Sequence, residues 1–357
     1  MVRGAHEGAA RAKLVARLAR FCGPDEACQL LENVEVIPGT LADLPGLAPL
    51  LNDVTHILHL AADTSFSSGT SNWEVNFDGT LALAQAAESM RGLQRFVHVS
   101  TATICGADPQ HLVHELDFPR AGVDHLVEYT RAKAAVEFVL LERYRHLPVV
   151  IARPSIVAGH TELGVRPSSS IFWFVRFAER IGLVPGSPDC HVDIVPSDWT
   201  ARCLIGLLFK PELAYQIYHV SAGLGSRSIW KELAEVMAKL RGEKAQDLDT
   251  FSPEHLQLVR DRVEQRLGYT GRAAKLIVRA AQRYYRFCNL DVTFDNSRLL
   301  AEGFAAPPKL KDYVDVCLNN PPDLSILEAF MDDAEMFQGL LDGDAPEKEG
   351  ALSASAV

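Results

Sequence analysis

Tyr129-Thr130-Arg131-Ala132-Lys133 sets a phenol and an amine four residues apart, so on a helix the two side chains rise from one face. Ala135, Val136, Phe138, Val139 and Leu140 continue the segment with the apolar face of a helix. An ammonium beside a phenol favours the phenolate, so Lys133 is expected to draw the Tyr129 pKa below its ordinary value of about 10. A tyrosine so placed can move a proton on or off a carbinol oxygen. By itself such a pair is more often an ordinary solvated helix face. The flanking segments say more. Arg95-Phe96-Val97-His98-Val99 reads as a buried strand running into the hydroxyls of Ser100 and Thr101. Pro148-Val149-Val150-Ile151-Ala152-Arg153-Pro154 reads as a second buried strand.

Strand, hydroxyl turn, helix and strand then follow one another. In an open parallel sheet, all three chemical positions face one crevice at the carboxyl ends of the strands. This order and these residues resemble the extended short-chain dehydrogenase/reductase superfamily over roughly residues 1–225. Within it, Val192-Asp193-Ile194-Val195-Pro196-Ser197-Asp198 is similar to the Val-Asp-x-Val-Pro-x-Asp segment of the thioester reductase and fatty acyl-CoA reductase branch, the male sterility type of NAD-binding domain. The resemblance implies an α/β fold: a Rossmann-type doubly wound parallel sheet with a smaller, mostly helical substrate domain. It implies an oxidoreductase that uses NADPH, with NAD as the alternative, to reduce an acyl thioester to an aldehyde or an alcohol.

Residue by residue, the resemblance gives Thr101 the substrate carbonyl oxygen, Tyr129 the proton and Lys133 a bond to the nicotinamide ribose. Ser100 stands beside them on the cofactor side. Pro154 and Ile156 would border the nicotinamide. Ala61 and Ala62, closing the Thr55-His56-Ile57-Leu58-His59-Leu60 strand, would let ribose and pyrophosphate approach the backbone. His59 itself reads as a core histidine. Asn76, in Asn76-Phe77-Asp78-Gly79-Thr80, would steady the backbone near the site. Leu41 falls in the adenine-side turn Gly39-Thr40-Leu41. Relatives carry Asp where Thr40 stands, and a hydroxyl does not accept as a carboxylate does. Arg3 would meet the ribose 2′-phosphate, and Arg11 would be a second phosphate ligand.

The beginning departs from the pattern. A dinucleotide-binding fold opens on a strand, a glycine-rich turn and a helix, yet no Gly-x-Gly-x-x-Gly or Gly-x-x-Gly-x-x-Gly occurs in the first hundred residues. Val2-Arg3 looks like the end of the second strand, Val34 to Gly39 like the third, and a helix through Ala9, Leu14, Val15, Leu18 and Phe21 like the element between them. The expectation is therefore a sheet lacking its first strand and phosphate loop. A start placed too far downstream, a fragment and a degenerate protein all fit that expectation. The chain as numbered is then expected to bind NADPH weakly and to dissolve poorly.

Domain boundaries follow. Residues 1–160 form the dinucleotide-binding domain, which 190–225 rejoins. Residues 161–189 and 226–341 form the substrate domain, and 342–357 form a polar, disordered tail. In the substrate half, Ile171 to Phe177 is an aromatic helix, for which core packing outweighs an acyl pocket. Two helices between about 253 and 288, with Ser252-Pro253-Glu254 as cap, carry Arg260, Arg262, Arg266, Arg272, Lys275, Arg279, Arg283 and Arg286. They read either as a solvated face or as a dock for CoA phosphates, an acidic carrier protein or an anionic membrane surface.

The formal net charge of −11 excludes a general nucleic-acid binder. Seven scattered cysteines, odd in number and with no Cys-x-x-Cys, suit reduced thiols in a cytoplasmic chain better than a disulfide framework, and no metal site is expected. No apolar run reaches transmembrane length. Two other readings share these residues. One is a sugar-nucleotide or sterol-type dehydrogenase or epimerase of the same fold. The other is a non-catalytic binding relative without its phosphate loop, against which Thr101, Tyr129 and Lys133 speak.

Overall fold

The computed structural model describes residues 1–2, 4–64, 70–119, 122–168, 170–245, 248–251, 255–320 and 325–331. Arg3, the Ser252-Pro253-Glu254 cap and the tail from 342 lie outside these residues.

Four strands make the central sheet: β1 (His56–His59), β2 (Arg95–Val99), β3 (Val149–Pro154) and β4 (Ile217–Val220), in that spatial order and all parallel. Parallel strands covered on both faces read as continuous apolar runs rather than as alternation, and β3 is buried at every position. Side chains still alternate between the faces. Ile57, Phe96, Ile151 and Ile217 pack on one side with Leu83, Ala84 and Ala87 and with Val136 and Leu140. Leu58, Val97, Val150 and Tyr218 pack on the other with Trp199, Cys203, Leu204 and Leu207.

The main helices, besides shorter ones, are α1 (Glu7–Cys22), α2 (Gly79–Ala87), α3 (Glu128–Arg143), α4 (Phe172–Ile181), α5 (Ser197–Phe209), α6 (Trp230–Leu240), α7 (Leu256–Arg262) and α8 (Gly271–Cys288). Helices α2 and α3 cover one face of the sheet and α5 the other, the doubly wound arrangement expected from the sequence. The expected strand at Val34 to Gly39 is reduced to one parallel bridge, Pro38 to Val2. The Val2 N–H donates to the Ile37 carbonyl at 2.9 Å, and the Gly39 N–H donates to the Val2 carbonyl at 3.0 Å. Among the described residues β1 is paired only with β2.

The second core belongs to α4, α6 and α8. Trp173, Phe174 and Phe177 of α4 are fully buried. Trp173 meets Tyr284 edge-on at 5.3 Å between centroids and Phe330 at 4.9 Å. The aromatic helix is thus core packing, and its rings are held by one another. Asp193 and Asp198 are joints between segments. Asp193 accepts from the Ala222 N–H at 2.7 Å, and Asp198 accepts from the Thr161 hydroxyl at 2.8 Å.

Candidate active site at the carboxyl end of the sheet

Strand β2 delivers Ser100 and Thr101 to the carboxyl edge. Thr101 is extended (φ −148°, ψ 144°) and caps the short 3-10 turn Ala102–Cys105. Its Oγ1 accepts from the Thr103 N–H at 3.3 Å and lies 2.8 Å from the Thr103 Oγ1. Its rotamer is thereby set by the turn it caps. The Ser100 Oγ is buried with no partner among the described residues.

Helix α3 packs against the same turn and carries Tyr129 in its first turn and Lys133 one turn on. Lys133 is 1 % exposed, and its Nζ donates to the Val99 carbonyl at 2.9 Å. The hydrogen bond ties the helix to the strand that ends at Thr101. Burial draws the Lys133 pKa down to about 8, against the opposing pull of the Glu137 carboxylate. The expected depression of Tyr129 is not found. Burial pushes its phenol up, and its hydroxyl forms no hydrogen bond to Lys133. A phenol raised in this way stays protonated at neutral pH and is kept as a donor.

The face of α3 that enters the protein also differs from expectation. Phe138 is 64 % exposed, while the charged Lys133 and Glu137 are buried with Ala132, Val136 and Leu140. The reason lies on β3. Arg153 and Glu137 are both wholly buried. The Arg153 guanidinium donates to the two Glu137 oxygens at 2.7 to 3.2 Å and to the Glu115 carbonyl at 2.9 Å. Glu137 lies one turn beyond Lys133, so Tyr129, Lys133 and Glu137 recur every four residues. That spacing is the sequence signal for the buried Glu137. His59 and His98 face each other across β1 and β2 at 5.3 Å. Burial first, then the Lys133 charge, lowers the His59 pKa to about 3 and that of His98 well below its ordinary value. Both rings are neutral, and His59 shares a 2.9 Å hydrogen bond with Thr80 as a core histidine.

The other expected contacts are spread around this centre. Asn76 grips the loop after β1: its Oδ1 accepts from the Asp63 N–H and its Nδ2 donates to the Asp63 carbonyl, each at 2.8 Å. Ala61 is exposed and Ala62 half-buried at the end of that strand. Leu41 rests on Gly79, where an added Cβ would lie 2.8 Å from its Cδ1. Thr40 is occupied with Asp43, whose carboxylate accepts from the Thr40 N–H at 2.7 Å and the Thr40 hydroxyl at 3.0 Å. Pro154 ends β3, and Ile156 follows in a two-residue strand beside Ile194. Arg11 is placed otherwise than a phosphate ligand would be. Its guanidinium donates to the carbonyls of Leu31 at 2.7 Å and Val34 at 3.3 Å, pinning α1 to the following turn.

Beside Thr103 and Ile156 a cavity of about 20 Å³ is closed by Phe287, Cys288, Leu290 and Val292. It has room for about one water, so it is not an acyl pocket in this conformation.

Comparison with known proteins places the chain in a family. The profile of the male sterility protein family, an NAD-binding domain, matches residues 1–204. An uncharacterized protein, y4nG, of Sinorhizobium fredii is 25 % identical over 210 residues, covering 58 % of this chain and 50 % of that protein. Fatty acyl-CoA reductase 1 of Xenopus laevis is 28 % identical over 134 residues, covering 31 % of this chain and 26 % of the reductase. The chain thus spans half or less of the length of these relatives. Among solved structures, the terminal R domain from the myxalamid PKS-NRPS biosynthetic pathway superposes with a TM-score of 0.71 at 18 % identity, covering 89 % of this chain and 82 % of that domain. At that identity the likeness is one of fold.

Proposed function

We propose that this chain, which belongs to the male sterility protein family of NAD-binding domains, reduces an acyl thioester, carried by CoA or a carrier protein, to an aldehyde, with NADPH as the preferred cofactor. The observation that carries this reading is the set Thr101, Tyr129 and Lys133 at one edge of the sheet, with Lys133 bonded to the Val99 carbonyl at 2.9 Å. The similarity to a fatty acyl-CoA reductase supports the substrate class.

The residues present fit the ribose and nicotinamide end of such a cofactor. An ammonium has three donors, and one hydrogen bond of Lys133 is made within the protein, to Val99. The buried Ser100 hydroxyl has no partner among the described residues. Ala61 and Ala62 add little bulk beside β1. Lys133 would hold the ribose hydroxyls, and Pro154 and Ile156 would flank the ring. When bound, the cofactor supplies the hydride.

The chain's own residues then govern the oxygen and the proton. Thr101, held by Thr103, donates to the thioester carbonyl oxygen and orients the carbon toward the hydride face. Tyr129, kept protonated by burial, gives its proton to that oxygen as negative charge develops there. The buried Lys133 ammonium stabilises the resulting phenolate. Collapse of the tetrahedral adduct returns the hydroxyl proton to the Tyr129 phenolate and breaks the carbon–sulfur bond; the thiolate leaves and takes a proton from water, and the aldehyde remains. A second hydride and proton would give the alcohol.

Preference for NADPH rests on Arg3 in the sequence. Arg3→Glu should weaken NADPH binding far more than NADH binding, because a carboxylate repels a 2′-phosphate and accepts from a 2′-hydroxyl. Calorimetric titration with both cofactors measures the ratio, and equal losses for the two would remove Arg3 from that role. The reaction is tested by incubating the protein with NADPH and a panel of acyl-CoA, acyl-pantetheine and sugar-nucleotide substrates. Aldehyde from the thioesters is the expected product, and turnover of the sugar nucleotide alone would reverse the assignment.

A further inference from the structure

The segment that leaves helix α8 passes beside the turn that carries Thr101. After Cys288 the chain runs through Asn289, Leu290, Asp291 and Val292 into a two-residue strand, Thr293–Phe294, paired in parallel with Leu112–Val113. Val292 and Phe294 pack with Ala102 and Val113 in a small core of their own, and Leu290 rests against it. Ala102 follows Thr101 in the chain, so this core adjoins the residue that would hold the substrate oxygen. The cavity of about 20 Å³ lies here, with Thr103, Ile156, Phe287, Cys288, Leu290 and Val292 in its lining.

Asp291 fastens the segment. Its backbone has φ 46°, in the left-handed region that a side chain disfavours and that persists where the surroundings impose it. His191 and His111 impose it. Asp291 Oδ1 accepts from the His191 N–H at 2.8 Å and lies 3.0 Å from His191 Nδ1. His111 Nδ1 lies 3.2 Å from the Asp291 carbonyl oxygen and 3.6 Å from Oδ2. Burial raises the Asp291 pKa, but the His191 N–H and ring outweigh it and hold the carboxyl below its ordinary value. Leu290 and Val292 flank Asp291, so the clasp fixes both as walls of the cavity. Its outer arm is open to solvent, because the His111 side chain is 90 % exposed.

We propose that Leu290–Val292 is the end wall of the acyl subsite and that Asp291, clasped between His111 and His191, sets the length of acyl chain that the subsite accepts. This rests on the reductase reading above and names what selects its substrate. With the clasp closed the cavity has room for about one water. A short acyl group on Thr101 fits without disturbing the wall, and a longer chain must displace it. The lining selects an apolar occupant. Thr103 is engaged with Thr101 at 2.8 Å, Asp193 with the Ala222 N–H at 2.7 Å, and Asp291 with His191. The lining that remains is aliphatic and aromatic, and a phosphate would meet two carboxylates. A chain that pushes the wall outward has to open the clasp, and its apparent affinity falls by the fraction of molecules in which the clasp is open.

The test is Asp291→Gly in the full chain. Glycine takes a positive φ without strain, so this variant removes the clasp and keeps the turn, and thermal melting checks its fold. Asp291→Asn is the conservative companion, because asparagine also visits this region and keeps an oxygen for the His191 N–H. The probes are acetyl-pantetheine and octanoyl-pantetheine, with binding read by calorimetric titration. Asp291→Gly should bind the octanoyl ester at least about 10-fold more tightly than the unmodified chain does and the acetyl ester equally. Asp291→Asn should stay near the unmodified chain with both. Adding Leu290→Trp to Asp291→Gly refills the space and should abolish the gain. Equal octanoyl binding by Asp291→Gly and the unmodified chain overturns the proposal. An equal gain for both esters, or a gain that survives Leu290→Trp, overturns it as well. Because the readout is binding, an octanoyl ester that is bound as expected and not reduced counts against the reductase reading alone.

Discussion

Tyr129→Phe should lower kcat for thioester reduction by about 2–4 orders of magnitude, the ordinary contribution of a positioned general acid, while the melting temperature stays where it was. The variant keeps the ring and loses only the hydroxyl. That hydroxyl makes no hydrogen bond among the described residues, so its removal leaves none of them unpaired. Substrate and cofactor affinity should change little, which separates loss of the proton donor from loss of the site. The unmodified enzyme should also slow as pH rises through about 8, where Lys133 loses the charge that supports the phenolate. Near-full activity in Tyr129→Phe, measured under single-turnover conditions, would remove Tyr129 from the mechanism.

Glu137→Ala should destabilise the fold by about 3–5 kcal/mol, because it leaves the wholly buried Arg153 guanidinium without its carboxylate. The pair is closed on both sides. Glu137 lies on the helix that carries Lys133, and Arg153 lies on the strand that ends at Pro154. The loss should therefore reach the site as well as the core, with Lys133 less well placed and its pKa lower once the neighbouring negative charge is gone. Urea unfolding gives the first effect. A shift of the alkaline limb of the rate to lower pH gives the second and distinguishes a positioning role from a purely structural one. An unchanged urea midpoint would show that Arg153 finds another partner.

The parts of this protein that follow local rules were legible in the sequence. The buried runs at Arg95–Val99 and Val149–Pro154 became neighbouring central strands, and the helix holding Tyr129 and Lys133 followed from spacing. What was not legible depends on partners distant in sequence. The apolar Phe138 reads as core in the sequence, but the buried face of α3 is set by Arg153, which draws the charged Glu137 inward. The Tyr129 phenol was expected to be acidified by Lys133, but Lys133 is turned to the Val99 carbonyl and burial dominates. Arg11 sits at a suitable place in the chain for a phosphate, yet the carbonyls of Leu31 and Val34 take its guanidinium. Val34 to Pro38 has the composition of a strand, but Val2 alone pairs with it, so one bridge forms.

We propose that Thr101, Tyr129 and Lys133 direct a hydride to a thioester carbonyl. The most direct measurement uses NADPH deuterated on the transferred position, an acyl-pantetheine thioester and mass analysis of the product after a single turnover. Deuterium is expected on the aldehyde carbon, with one free thiol per hydride transferred, and this product is lost in Tyr129→Phe. NADPH binding without labelled aldehyde, or labelled aldehyde at an undiminished rate in Tyr129→Phe, would contradict it.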